Sequence, residues 1–106
     1  MTSSAPIAIG CDHAGYELKE ILKSFLMENS FELEDCGTNG TESVDYTEFG
    51  ARVARQVASG QHQRAVLICG TGLGMSMIAN RFPGVRAALC NDLFSAIMCR
   101  RHNDAN

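Results

Sequence analysis

No stretch of the chain approaches the ~18–20 consecutive apolar residues that a membrane-spanning helix needs. The start, MTSSAPIAIG, lacks the basic opening and long apolar core of an export signal. Basic charge is not in excess: nine Lys and Arg against twelve Asp and Glu leave a formal net charge of -3. That excludes a nucleic-acid binder working by general attraction to phosphate. It leaves room for a small anion held by a few local donors. No C-x-x-C pair suggests zinc or a redox dithiol. The five cysteines, Cys11, Cys36, Cys69, Cys90 and Cys99, are odd in number and widely spaced, so free thiols in a reducing cytoplasm are expected. Internal repeats, linkers and blocks of like charge are missing too. What is present is ordinary: 106 residues, 45% hydrophobic and 20% charged, which fits one globular domain over residues 1–106.

Apolar periodicity switches along the chain. PIAIGC at 6–11 and AVLIC at 65–69 are short apolar runs of the kind buried in parallel sheets. FELEDC at 31–36 is a weaker strand, and VRAALC at 85–90 predicts a fourth. Between them Leu18, Ile21, Leu22, Phe25 and Leu26 mark one face of a helix over 15–29. Asp45 and Glu48 resemble a capping box that opens a second helix, carrying Tyr46, Phe49, Val53 and Val57 inward. A short helix follows GTGLG and ends at Pro83-Gly84, and Asn91 or Asp92 caps the last one. The alternation predicts a three-layer α/β/α doubly wound parallel sheet of the Rossmann or flavodoxin type, with four strands. Ligands of such sheets sit at the carboxyl ends of the strands.

The segment Cys69-Gly70-Thr71-Gly72-Leu73-Gly74 carries the strongest chemical signal. Its glycines let the main chain turn tightly and approach a ligand. The loop runs into a helix, so unpaired N–H groups converge on one spot that suits an anion or an oxyanion. A thiol at its mouth is favoured as thiolate by the same field. The bland alternative is a tight turn with a buried Cys. Known phosphate loops fit poorly. No Lys follows the glycines, the third glycine comes one residue early for a dinucleotide fingerprint, and Met75 stands where a cysteine phosphatase needs Arg. Asp12 and His13 lie at the end of strand one, where Asp12 could also merely cap a helix and His13 sit in solvent. Arg100, Arg101, His102, Asn103 and Asp104 end the last helix, where basic residues can simply offset its dipole. For Cys11, Cys36 and Cys90 the simple reading is packing. QHQR around His62 predicts a solvated ring.

Taken together, GCDHAG, ICGTGLGMSMIANRFPGVRAALC and RRHNDAN resemble the ribose-5-phosphate isomerase type B and galactose-6-phosphate isomerase family, in family order and across essentially the whole chain. The resemblance implies aldose–ketose isomerisation of a phosphorylated sugar through an enediolate, with no metal and no cofactor. It implies that Cys69 moves the proton between C2 and C1. The N–H groups of Gly70, Thr71, Gly72, Leu73 and Gly74 would hold the enediolate oxygen. His102 would open the furanose ring, Asp12 and His13 would orient the sugar and its phosphate, Asn103 would bond a hydroxyl, and Tyr46 would lie near the substrate. It implies a homodimer or higher homo-oligomer with sites at the interface, while the charge balance and the lack of a long apolar run argue against a nucleic-acid or membrane partner. Family members continue beyond residues 103–106 into a fifth strand, a long helix and basic residues that grip the phosphate. The 106-residue chain is therefore expected to leave strand four as an open edge.

Ribose 5-phosphate is the expected substrate. Six-carbon sugar phosphates are the alternative, as is a truncated, inactive form. A non-catalytic flavodoxin-like module is a further reading, although a phosphoacceptor receiver would end strand three with Asp rather than Cys69. The isomerase reading expects purified protein to be colourless. A visible flavin band in its absorbance spectrum would favour the binding module instead.

Overall fold

A computed structural model describes residues 6–106. The elements are β1 (Ile7–Cys11), a 3-10 turn (His13–Gly15), α1 (Tyr16–Glu28), β2 (Leu33–Asp35), α2 (Tyr46–Ala58), β3 (Ala65–Ile68), α3 (Leu73–Ala79) and α4 (Leu93–Arg101). The sheet order is β2-β1-β3, and every pairing is parallel. Chain direction reverses between the two crossovers, and right-handed connections then place α1 and α2 on opposite faces. The doubly wound α/β class expected from the alternation is the fold. At its centre Ala8 and Ile9 of β1 are fully buried and Val53 and Ala54 of α2 nearly so.

Local chemistry explains the boundaries. Asp45 caps α2 by accepting the Thr47 N–H at 3.0 Å, but Glu48 turns to Arg52 at 3.6 Å and does not complete a capping box. Gly60, at φ 83°, takes the left-handed conformation just past α2. Gly50 lets α3 close onto α2, because a Cβ there would stand 2.6 Å from Ile78 Cγ2.

The sheet has three strands among the described residues, where four were expected. Residues 85–90 form no ladder. Asn106 intervenes: its carbonyl accepts the Ala65 N–H and its N–H donates to the Arg86 carbonyl, both at 3.0 Å. One residue thus bridges β3 and residue 86, and residues 85–90 stand one strand's width too far out to pair with β3. The Asn80 side chain holds them instead, donating to the Ala87 carbonyl at 2.9 Å and accepting its N–H at 2.8 Å. A cavity of about 680 Å³ fills the gap. The narrow sheet also leaves the predicted apolar face of α1 half uncovered, with Leu18, Ile21 and Phe25 all more than half exposed.

Two polar groups are buried that periodicity does not reveal. His62, expected in solvent, is 4% exposed. Its Nδ1 lies 3.1 Å from the Pro6 carbonyl and its Nε2 3.1 Å from Glu34 Oε2, so it ties the start of β1 to β2. Lys19 of α1 is 0% exposed and reaches both Asp35 oxygens, at 3.0 and 2.9 Å, and the Thr38 carbonyl at 2.8 Å. Burial alone would lower the Lys19 pKa, yet its bond to Asp35 leaves it raised. Asp35 is likewise opposed by burial, but Lys23, Lys19 and the Gly37 N–H hold it below its ordinary 3.8.

Lys19→Met should destabilise the fold by on the order of 2 kcal/mol, since Lys23 still partners Asp35. A shift in the urea midpoint at neutral pH measures this. The folded pKa of Asp35 is depressed, so its contribution is complete above 3.8 and drains away as pH falls through the lower folded value. The acid-side loss of stability should therefore flatten in Asp35→Asn, and parallel stability curves for the two proteins would contradict the assignment.

Candidate active site

Parallel pairing of β1 with β3 aligns Cys11 with Ile68. The next residues, Asp12 and Cys69, are thereby delivered side by side at the carboxyl edge of the sheet. The Asp12 N–H continues the pairing by donating to the Ile68 carbonyl at 3.3 Å. The 3-10 turn then folds back against β3. It comes so close that a Cβ on Gly15 would lie 2.5 Å from the Ile68 carbonyl oxygen.

Asp12 is 7% exposed, and its carboxylate accepts the Gly15 N–H at 3.1 Å. The capping role is real, and it fixes the carboxylate at the start of the 3-10 turn. His13 Nδ1 accepts the Val44 N–H at 3.0 Å. That bond holds residues 37–45 over the strand ends, and it directs the ring's own N–H, on Nε2, away from the Val44 contact. His13 is half-buried rather than a free loop residue.

Cys69 follows β3 directly and is partly exposed. Its Sγ accepts the Gly72 N–H at 3.2 Å. Gly72 adopts φ 79°, and a Cβ there would run into Leu89. Thr71 Oγ1 accepts the Leu73 N–H at 3.1 Å. Among the described residues the N–H groups of Gly70, Thr71 and Gly74 take no partner. The loop therefore presents a sulfur with a fixed N–H donor beside further open donors, which suits a carbon acid whose charge develops on oxygen. Tyr46 closes one side: a Cβ on Gly74 would stand 2.7 Å from its ring. Residues 69–72 also form one end of the cavity beside β3.

His102 and Asn103 lie apart from this group. They end α4, both are exposed, and neither lines the cavity that Cys69 borders. No α4 residue is buried, and Leu93 and Phe94 are 76% and 72% exposed. Two nearby arginines, Arg86 and Arg100, reach Asp104 at 3.2 and 3.7 Å. Cys11 and Cys36 are packing residues. Burial raises both thiols, and Cys36, also facing Glu34, is pushed up to about 11. Among the described residues no three His, Cys, Asp or Glu side chains gather in a way that could hold a metal ion.

The sequence model described as Ribose/Galactose Isomerase matches residues 7–106. The chain belongs to this isomerase family. It is 45% identical over 100 residues to ribose-5-phosphate isomerase B of Escherichia coli (strain K12), covering 94% of this chain and 67% of the relative. It is 44% identical over 101 residues to 4-deoxy-4-sulfo-D-erythrose isomerase of Clostridium sp. (strain MSTE9), covering 94% of this chain and 64% of that one. Among solved structures, ribose-5-phosphate isomerase B of Clostridium thermocellum superposes with a TM-score of 0.92 at 52% identity, covering 95% of this chain and 68% of that one. The chain thus spans about two thirds of the length of these relatives. Its reaction class is aldose–ketose isomerisation, and the relatives' names span a phospho sugar and a sulfo sugar.

Gly72→Ala should lower turnover by about tenfold, the rate equivalent of the ~1–2 kcal/mol a side chain loses in the left-handed region. Gly60→Ala is the control: it shares a positive φ but meets open space at the far end of α2 from Tyr46. It should lower the melting temperature and leave the rate alone. Equal rates in both variants would show that the shape of the Cys69 loop does not matter.

Proposed function

We propose that the chain interconverts ribose 5-phosphate and ribulose 5-phosphate through an enediolate, as a cytoplasmic homodimer. The observation that carries this is the Cys69 sulfur held by the Gly72 N–H at 3.2 Å, with Asp12 and His13 fixed alongside. Cys69 as thiolate removes the C2 proton of the open-chain aldose. The electron pair moves into the C1–C2 bond and charge builds on the C1 oxygen. The open N–H groups of residues 70–74 stabilise that charge, and each such donor is worth about 2.7–4 kcal/mol in the transition state. A proton passes from the C2 hydroxyl to the C1 oxygen, the C2–O electron pair forms the ketone carbonyl, and the Cys69 thiol returns its proton to C1. Asp12 and His13 orient the hydroxyls and the phosphate end, and Tyr46 closes the wall. His102 protonates the ring oxygen as the furanose opens, and Asn103 bonds a hydroxyl.

The exposed position of His102 and Asn103 supports a dimer. In one chain they stand outside the cavity that Cys69 borders, on a helix whose Leu93 and Phe94 have no cover. A second copy packed on α4 would bury those side chains and carry His102 to the partner's Cys69 loop.

In deuterated water, recovered ribose 5-phosphate should carry deuterium at C2, and Cys69→Ala should bind sugar without turning it over. Retained turnover in Cys69→Ala would remove the sulfur from the mechanism. Parallel kinetics on ribose, allose and galactose phosphates identify the sugar, and faster turnover of a six-carbon substrate would replace the pentose assignment. For the dimer, Cys69→Ala and His102→Ala chains, each inactive, should recover roughly a quarter of wild-type activity on mixing, because half the dimers are mixed and each has one intact site. No recovery after subunit exchange would mean that each site is built within one chain.

A further inference from the structure

The cysteines are not all alike. Cys11 and Cys36 are buried, and Cys69 is engaged in its loop. Cys90 and Cys99 remain, and they face each other with their sulfurs 3.7 Å apart. Cys90 ends the irregular segment 85–90 and is exposed, while Cys99 lies in the last turns of α4 and is half-buried. Their other contacts are weak and local: Cys90 Sγ to the Ala88 carbonyl at 3.6 Å and Cys99 Sγ to the Ala96 carbonyl at 3.2 Å. Among the described residues no other two cysteines hydrogen-bond to each other. A disulfide needs sulfurs ~2.05 Å apart, so closure takes a further approach of less than ~2 Å. Asn80 and Asn106 hold Ala87 and Arg86, so the approach falls to Cys90 at the exposed end of the segment.

We propose that Cys90 and Cys99 are a reversible oxidation site, closed to an intrachain disulfide by a small-molecule disulfide such as oxidised glutathione. Exposed Cys90 loses its proton and attacks one glutathione sulfur. The glutathione S–S bond breaks, and one glutathione leaves as thiolate and takes up that proton. Cys99 then loses its proton and attacks the Cys90 sulfur of the mixed disulfide. The Cys90–Cys99 bond forms and the second glutathione leaves, taking up the second proton. The protein gives up two electrons and two protons, and the oxidant becomes two thiols. The bond would tie residues 85–90 to the end of α4. That end presents His102, and there the Cys99 carbonyl accepts the Ala105 N–H at 2.9 Å.

The test exploits the positions of arginine. Between Arg86 and Arg100 the chain has no Lys or Arg, so trypsin releases both cysteines in the single peptide 87–100. The full chain is equilibrated in glutathione redox buffers, alkylated, digested and weighed. Oxidised peptide 87–100 should escape alkylation and weigh two hydrogens less than its unmodified sequence, and reduction with dithiothreitol before alkylation should make it take up two alkyl groups. In Cys90→Ser and Cys99→Ser the loss should vanish, and the remaining sulfur should carry glutathione instead. Three results would overturn the proposal: a wild-type peptide that stays reduced, one that holds glutathione without ring closure, or one crosslinked to a second chain. The readout is independent of turnover, so it stands or falls separately from the isomerase reading.

Discussion

The alignment of Cys11 with Ile68 across β1 and β3 is the constraint from which the site follows. It sets Asp12 beside Cys69, and it lets the turn at Gly15 press against the Ile68 carbonyl. A slip by one residue would reverse the faces of every side chain on β1 and separate those two groups. Ile9, fully buried in the middle of β1, resists such a slip through hydrophobic burial worth ~1.5–3 kcal/mol for a side chain of its size. Site geometry and core packing are thus the same interaction seen at two places along one strand.

The surroundings hold that edge by polar anchors as much as by apolar contact. Lys19 binds Asp35 and the Thr38 carbonyl, and His13 accepts the Val44 N–H. Between them these bonds fix both ends of the loop that lies over the strand ends. A long loop of polar residues has little apolar surface with which to order itself, so fixed hydrogen bonds take over that task. Asp12 shows the same economy, capping the 3-10 turn with a carboxylate held at the end of β1.

On the other side of β3 the arrangement is unfinished. Asn106 starts a rung between β3 and residue 86, and beyond it lies the cavity. The uncovered face of α1 adjoins a sheet too narrow to bury it, and α4 buries no residue at all. Parallel sheets are stable when both faces are covered. The exposure of Leu18, Ile21, Phe25, Leu93 and Phe94 therefore marks the apolar surface that this chain leaves uncovered.

Much of this was legible in the residue order. Short apolar runs located three of the strands, and apolar periodicity with turn and capping residues located all four helices, because each leaves a local signature. Strand ends dictate where ligands go, so Cys69, Asp12 and His13 could be picked as neighbours from the alternation of elements. The exceptions have one cause. VRAALC has strand composition, but pairing requires a neighbour, and Asn106 from the far end of the chain occupies that place. QHQR looks like a solvated turn, yet His62 meets Glu34 and the Pro6 carbonyl across long sequence separations. Lys19 sits on a helix face among charged residues, and only the fold brings Asp35 to it. Local sequence decided which segments could be strands, helices and glycine turns, since those depend on dihedral freedom and on the period of apolar side chains. Tertiary structure alone decided which polar groups are buried, that His102 stands apart from Cys69, and that Cys90 meets Cys99, since each of these is a contact between residues whose separation in space is set only once the chain has packed.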